Sequence, residues 1–416
     1  MVVFLFPGQG SQQPGMGLPW REHPSFELVD EASEVLGRDM AWLLLEADAD
    51  TLQITRNTQV ATLLTSVIAL DAIERLGVAP QLAAGHSLGE YAALVAAGGI
   101  SLEAGLVLVQ ERGDAMAQAA EVSPGAMIAL LGATLEQALE LVDAIGPDLW
   151  LANHNSDTQI VLSGTLAAVS AAEDLAREYG IRRVARLKVG GAFHSPYMLE
   201  AKDRLRKAIA QTRFYDLEVP VIANVDAREH TSAAEWPILL AEQLTSPVRW
   251  AETMAAIAAA RPGLIVEVGP GGVLTNLAKR AIPDIPAISI ATPEDLETLI
   301  ERLAGDGPVA DWAASHQGER LYGSERLIVA PATGVFAPAE PSPKPGDAIA
   351  VGGAIGTVGT IPVRSAFHGI LKGMLAMAGE RVTAGQPIAW LSEAPAEPTT
   401  SRSTDAEASV PVTESR

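Results

Sequence analysis

The chain has 416 residues, of which 48% are hydrophobic and 19% charged, and it contains no cysteine. At roughly 100–200 residues per domain this implies two to four domains, and it excludes global disorder, a disulfide framework, a zinc–thiolate site and a thiol nucleophile. The formal net charge of −22 argues against nucleic acid or an anionic membrane as the main partner.

Val2–Phe6 is a short apolar run stopped by Pro7 and Gly8, as a buried strand is. It lacks a basic segment before it, so it reads as a first strand and not as a signal peptide. No stretch reaches the roughly 18 apolar residues of a membrane span, and a cytoplasmic protein is expected. Residues 25–48 have helical spacing, and Gln59–Arg75 is rich enough in Ala, Leu, Ile and Val to be a buried helix. Leu82–Ala84 is a second strand. It breaks at Gly85 and leads into a helix over Glu90–Ala97, and Ser101 caps the next helix, to Ala119.

The rhythm then changes. Strands at Ala126–Leu131, Leu149–Asn153, Gln159–Leu162 and Arg183–Val189 alternate with helices at Thr134–Ile145 and Leu166–Tyr179. The order βαββαβ predicts a ferredoxin-like subdomain over 124–190, inserted in an α/β parallel-sheet core of residues 1–123 and 191–315. The core resumes with strands at Val219–Ile222 and Leu264–Val268 and helices at Leu199–Gln211, Trp250–Ala260 and Val273–Ala281. A linker is expected at 316–325. Residues 326–392 are glycine-rich with short strands, and Gly346-Asp347 recurs as Gly379-Glu380, 33 residues on. Two such halves facing each other predict a small all-β barrel-sandwich. Residues 393–416 carry almost no bulky apolar groups and read as a disordered tail.

Gly85-His86-Ser87-Leu88-Gly89 is a G-x-S-x-G pattern between a strand and a helix, the form of a nucleophile elbow. A serine nucleophile needs a base. His194, in Gly191-Ala192-Phe193-His194-Ser195, is the candidate among seven histidines, and His86 is tied to the elbow itself. Arg112 is the only basic residue between Arg75 and Arg177 in a very acidic stretch.

Five motifs occur in one order: Phe6-Pro7-Gly8-Gln9-Gly10-Ser11-Gln12, Gly85–Glu90, Gln110-Glu111-Arg112-Gly113, Gly191–Ser195, and Glu267-Val268-Gly269-Pro270-Gly271. Over residues 1–315 the chain resembles malonyl-CoA:acyl-carrier-protein transacylases and the acyltransferase domains of polyketide synthases. The resemblance implies an α/β-hydrolase-like core with Ser87 as the acylated nucleophile and His194 as general base. It implies Gln9 and Leu88 as amide donors of the oxyanion hole and Arg112 as partner of the malonyl carboxylate. Gln243 would orient the histidine through its backbone carbonyl, Asn155 would line the acyl site, and Phe193 favours malonyl over branched acyl groups. Malonyl-CoA and an acyl carrier protein are the implied partners, with no metal and no cofactor. A serine hydrolase or thioesterase, a transferase of another acyl-CoA and a non-catalytic scaffold are the competing readings.

Residues 326–392 resemble biotinyl/lipoyl carrier domains through Pro362–Gly369. The position of the modified lysine falls on Val358, so biotin or lipoate cannot be attached there, and docking or self-association is expected of this module. The neutral middle of the chain, with 12 acidic and 12 basic groups over 151–250, gathers Arg182, Arg183, Arg186, Lys188, Lys202, Arg204, Arg206 and Lys207 near His194. This cluster, together with Lys279 and Arg280, is expected to receive the coenzyme A phosphates and the carrier protein.

Overall fold

The computed structural model describes residues 1–304, 318–321, 325–350, 352–365 and 369–392. Strand β1 (Val2–Phe6) leads through α1 (Leu28–Leu36), α2 (Met40–Leu45), α3 (Ala49–Gln53) and α4 (Thr55–Arg75) to β2 (Leu82–Gly85). β2 turns into α5 (Gly89–Ala96), which α6 (Leu102–Val122) follows. Next come β3 (Gly125–Leu131), α7 (Leu135–Ile145), β4 (Leu149–Ser156), β5 (Gln159–Thr165), α8 (Leu166–Leu175) and β6 (Arg183–Arg186). The core resumes with α9 (Leu199–Ile209), β7 (Val221–Ile222), β8 (Glu229–His230), α10 (Trp236–Gln243) and α11 (Trp250–Ala260). It ends with β9 (Leu264–Val268), α12 (Val273–Ala281), β10 (Ala287–Ile290) and α13 (Asp295–Ala304).

The central sheet has the order β10-β9-β1-β2-β7-β8. Its strands run parallel except for β8, which returns against β7. Alternation along β1 shows why it lies at the centre. Phe4 and Phe6 point into the larger core with α4, α5 and α6, whereas Val3 and Leu5 point into a second core with Trp250, Leu274 and Leu277. A strand apolar on both faces must be covered on both faces, which is the parallel-sheet condition.

β3 to β6 form a separate antiparallel sheet of order β4-β5-β3-β6, backed by α7 and α8 through Leu130, Leu141, Leu162 and Val169. The side chains of Thr134 and Gln137 close a reciprocal capping box at the start of α7. The other face of this sheet, through Met127, Ala129 and Val161, packs on the large core and closes over the end of β2.

Several elements went unforeseen, α3, β8 and α10 among them. β10 is four residues long and becomes a strand because β9 offers it a parallel edge, and α13 follows it. The segment expected to be a linker, 316–325, contains strand β11 (Gly318–Leu321), which pairs antiparallel with β12 (Glu325–Val329). Its charged sequence masks the strand, because backbone pairing at a sheet edge asks little of side chains.

After β12 come β13 (Gly334–Pro338), β14 (Ala348–Ile349), β15 (Ala354–Val358), β16 (Ile361–Arg364), β17 (Gly369–Met374), β18 (Arg381–Val382) and β19 (Pro387–Ser392). They form two sheets, β11-β12-β19-β17-β14 and β16-β15-β13-β18, around Ile328, Phe336, Ile355, Leu371 and Leu391. The 33-residue repeat has a structural counterpart. Lys344 donates its N–H to Asp347 Oδ2 at 2.7 Å, and Met377 donates its N–H to Glu380 Oε2 at 2.8 Å. Val358 closes β15 opposite Ile361, and its side chain is buried. Residues Ala366, Phe367 and His368 of the Pro362–Gly369 motif lie outside the described residues, as does the expected tail 393–416. No helix among the described residues is long and apolar enough to cross a membrane.

Candidate active site

The turn from β2 to α5 is built for close approach. A Cβ at Gly85 would collide with the backbone of Gly89, and one at Gly89 would collide with the Phe6 carbonyl of β1. Only glycine at both places lets the strand fold back onto its own helix. Ser87, between them, is held at φ 51°, a left-handed conformation that a serine keeps only under constraint. Asn224, just after β7, supplies the constraint: its Oδ1 accepts the Ser87 N–H at 2.7 Å, and its Nδ2 donates to the Gly85 carbonyl at 2.7 Å.

His194 follows β6 and also has positive φ, 58°. The next residue fixes the loop, since Ser195 Oγ donates to the Ala192 carbonyl at 2.6 Å and Pro196 starts a short helical turn. The imidazole Nδ1 faces two acceptors, the carbonyls of Gln243 at 2.9 Å and Ser246 at 3.2 Å. Carbonyls only accept, so Nδ1 carries the hydrogen and Nε2 is a free acceptor. Ser87 Oγ lies 2.8 Å from Nε2 and donates to it. This is a serine–histidine dyad in which two carbonyls replace a carboxylate. Burial and then the Arg112 charge hold the His194 pKa far down, at about 3, so the ring is neutral around pH 7.

Arg112 enters from α6 with 0% of its surface exposed. Its Nη2 donates to Ser87 Oγ at 3.0 Å and to Gln243 Oε1 at 3.0 Å, and its Nη1 donates to Gln59 Oε1 at 2.6 Å. Its Nε has no partner, and the guanidinium sits over the Tyr91 ring at 5.7 Å. The cation's nearest acceptors are neutral amides and a hydroxyl. Glu90, also buried, accepts from the Asn224 N–H and from Gln243 Nε2, both at 2.6 Å. Burial pushes its pKa up to about 8, against these donors and Arg112, which favour the carboxylate.

A cavity of about 260 Å³ opens over this group. Gln9, Ser87, His194, Phe193 and Asn155 line it, with Met116, Met127, Val161, Leu187, Val189 and Leu274 as its apolar wall. The structure thus brings together the candidates Ser87, His194, Arg112, Gln9, Leu88, Phe193, Asn155 and Gln243. Leu88 turns its side chain into the core and leaves its amide at the open start of α5, where backbone N–H groups lack helical acceptors. Asn155 reaches the site through His86, its Oδ1 lying 2.8 Å from His86 Nε2, while the His86 ring packs on Trp250.

Sequence reasoning missed Asn224, Ser246, Gln59 and the part played by Glu90. Gln59 carried one available signal, a large polar side chain in a helix otherwise read as buried. The basic cluster needs correction. Arg186 is paired with Glu173, Lys202 with Glu242, and Arg204 with both Glu111 and Gln118. Those partners lie 13 to 93 residues away in sequence, so adjacency alone overstated the free charge. Among the described residues Arg182, Arg183, Lys188, Arg206 and Lys207 are exposed and have no ion pair, and Lys188 lies between cavity residues Leu187 and Val189.

The family model for the acyl transferase domain matches residues 3–306. The chain belongs to the acyl transferase domain family. The acyl transferase is 40% identical over 307 residues to the malonyl CoA-acyl carrier protein transacylase of Bacillus subtilis (strain 168), covering 73% of this chain and 97% of that protein. A Synechocystis protein of the same name is 37% identical over 302 residues, covering 72% and 99%. Among solved structures, the acyl transferase matches the malonyl CoA-acyl carrier protein transacylase of Coxiella burnetii with a TM-score of 0.70 at 36% identity, over 73% of this chain and 98% of that one. A malonyl-transacylase solved in complex with its type II polyketide acyl carrier protein matches with a TM-score of 0.69 at 35% identity, over 71% and 98%. The family match ends before β11, so the β-rich module is an addition to the acyl transferase.

Proposed function

We propose that this acyl transferase moves a malonyl group from malonyl-CoA to the phosphopantetheine thiol of an acyl carrier protein through a malonyl-Ser87 intermediate. The observation that carries the reading is Arg112, a fully buried cation 3.0 Å from the nucleophile with an unpartnered Nε–H. A guanidinium in that position asks for a planar anion on the acyl group, and the malonyl carboxylate supplies it. A plain esterase or thioesterase has no use for such a charge.

In the first half-reaction Ser87 Oγ attacks the thioester carbonyl carbon while its proton passes to His194 Nε2. The carbonyl electron pair moves onto oxygen, where the amides of Gln9 and Leu88 receive it. The carbonyls of Gln243 and Ser246 hold the imidazolium that forms. A carboxylate on Arg112 offsets the charge that otherwise opposes that imidazolium. Collapse breaks the carbon–sulfur bond, and the coenzyme A thiolate takes the proton from His194. The carrier-protein thiol then gives its proton to His194 and attacks the ester, and Ser87 leaves and recovers the proton. Phe193 narrows the acyl cavity, favouring malonyl over branched homologues, and Asn155 steadies His86 at its edge. Arg182, Arg183, Lys188, Arg206 and Lys207, with Lys279 and Arg280 at the end of α12, form the landing surface for the two anionic partners.

Residues 124–190 are read as the ferredoxin-like subdomain on the strand order β4-β5-β3-β6, and 326–392 as an unmodified biotinyl/lipoyl-like module on the repeated turns and two facing sheets. The decisive experiment mixes purified protein with malonyl-CoA and follows intact mass. A malonyl adduct on Ser87 that moves to holo carrier protein faster than to water is expected. Free malonate as the dominant product would return the chain to the hydrolases.

A further inference from the structure

Glu90 follows the elbow in sequence but does not touch the cavity. It is buried in the first turn of α5, and each of its carboxylate oxygens accepts one strong hydrogen bond, Oε1 from the Asn224 N–H and Oε2 from Gln243 Nε2. The two residues it holds are the two that support the reacting groups. Asn224 grips the elbow at the Ser87 N–H and the Gly85 carbonyl. Gln243 donates from Nε2 to the Ser87 carbonyl at 2.8 Å and accepts at Oε1 from Arg112.

An amide side chain has two faces that look alike in shape and differ in polarity. Gln243 could be turned over with little steric change, and its Nε2 would then confront the Arg112 guanidinium, donor against donor. Two acceptors at the far end oppose that turn, the Ser87 carbonyl at 2.8 Å and Glu90 Oε2 at 2.6 Å, and the shorter bond is the one to Glu90. We infer that Glu90 is a positioning residue for substrate selection: through Gln243 it aims the Arg112 guanidinium at the acyl carboxylate, and through Asn224 it keeps Ser87 in reach. The inference rests on Arg112 being the carboxylate partner.

This arrangement predicts an asymmetric defect. Glu90→Gln is nearly isosteric, but it replaces one acceptor oxygen by an NH₂ that must face either the Asn224 N–H or Gln243 Nε2. Gln243 then keeps only the Ser87 carbonyl to hold its orientation, and the aim of Arg112 is loosened. Substrates with a free carboxylate should suffer most, since only they use Arg112. The test measures acylation of Ser87 in the full-length protein by malonyl-CoA and by acetyl-CoA, and takes the ratio of the two kcat/KM values. That ratio cancels the fraction of correctly folded enzyme, so a partly unfolded variant still reports. Glu90→Gln is expected to lower the malonyl-to-acetyl ratio by about 10- to 100-fold, the effect of misplacing one hydrogen bond to a charged group. Gln243→Leu, which removes the middle of the relay, should lower it similarly, and the double variant should lower it no further than either alone. Equal losses with both substrates, or additive losses in the double variant, would reduce Glu90 to a structural residue and overturn the inference. Arg112→Ala separates the two readings. If it leaves the ratio unchanged, the carboxylate assignment itself fails. If it collapses the ratio while Glu90→Gln does not, only the inference about Glu90 fails.

Discussion

His194 stays neutral far below the ordinary histidine range, and that has a measurable cost in stability. Replacing it by asparagine removes the titration and keeps a residue tolerant of the positive φ at this position. In the unfolded chain the imidazole titrates near 6.5, and in the native protein burial and then Arg112 hold it at about 3. Between these values the unfolded state binds one more proton, so stability rises with pH and is lost as pH falls. From pH 7 to pH 5 the loss attributable to this one group is about 2 kcal/mol. Glu90, raised to about 8 by burial, contributes the opposite slope above its unfolded value, but it is common to both proteins and cancels in the comparison. Urea unfolding followed at the tryptophans, at pH 7 and pH 5, measures the difference. The variant should gain about 2 kcal/mol on the wild type over this interval. A difference independent of pH would mean that His194 has an ordinary pKa, and the account of a desolvated neutral base would fall with it.

Other perturbations have equally definite outcomes. Ser87→Ala should show no malonyl adduct by intact mass while unfolding at a temperature close to that of the wild type. Gly89→Ala places a methyl against the Phe6 carbonyl and should cost more than about 3 kcal/mol, seen as a large fall in Tm or loss of soluble protein. Reversing the charge of Lys188, Arg206 and Lys207 together should raise KM for the carrier protein several-fold, with weaker salt dependence, and leave the Tm in place. An unchanged KM would remove this surface from the docking site. Val358→Lys should not create a site for biotin or lipoate attachment: the side chain points into the sandwich core, so the variant should lose stability and remain unlabelled by a biotin or lipoate ligase.

The parts of the site that sequence reveals are those written within a few residues of each other. The elbow is legible because two glycines, a serine and the strand–helix switch are all local. Arg112 stands out because a lone cation in an acidic stretch is conspicuous before any packing is known. The βαββαβ unit is legible through its caps and periodicity. Asn224 is not, since a short strand ending in Ala223-Asn224 means nothing until β7 is laid beside β2. Ser246 acts only through its backbone carbonyl, which every residue possesses. The error over Arg186, Lys202 and Arg204 has the same origin, because their acidic partners come from α8, α10 and α6 across the fold. β11 hid behind charged residues for a related reason, as edge pairing is a backbone interaction that a residue pattern does not reveal.

Ser87 and His194 share a backbone conformation that neither residue type prefers, at φ 51° and 58°. Such conformations cost of order 1–3 kcal/mol each, and glycine would relieve most of it. The most stable versions of this chain should therefore be ones that have abandoned catalysis. Glycine at both positions should raise the Tm of the chain while abolishing the malonyl adduct.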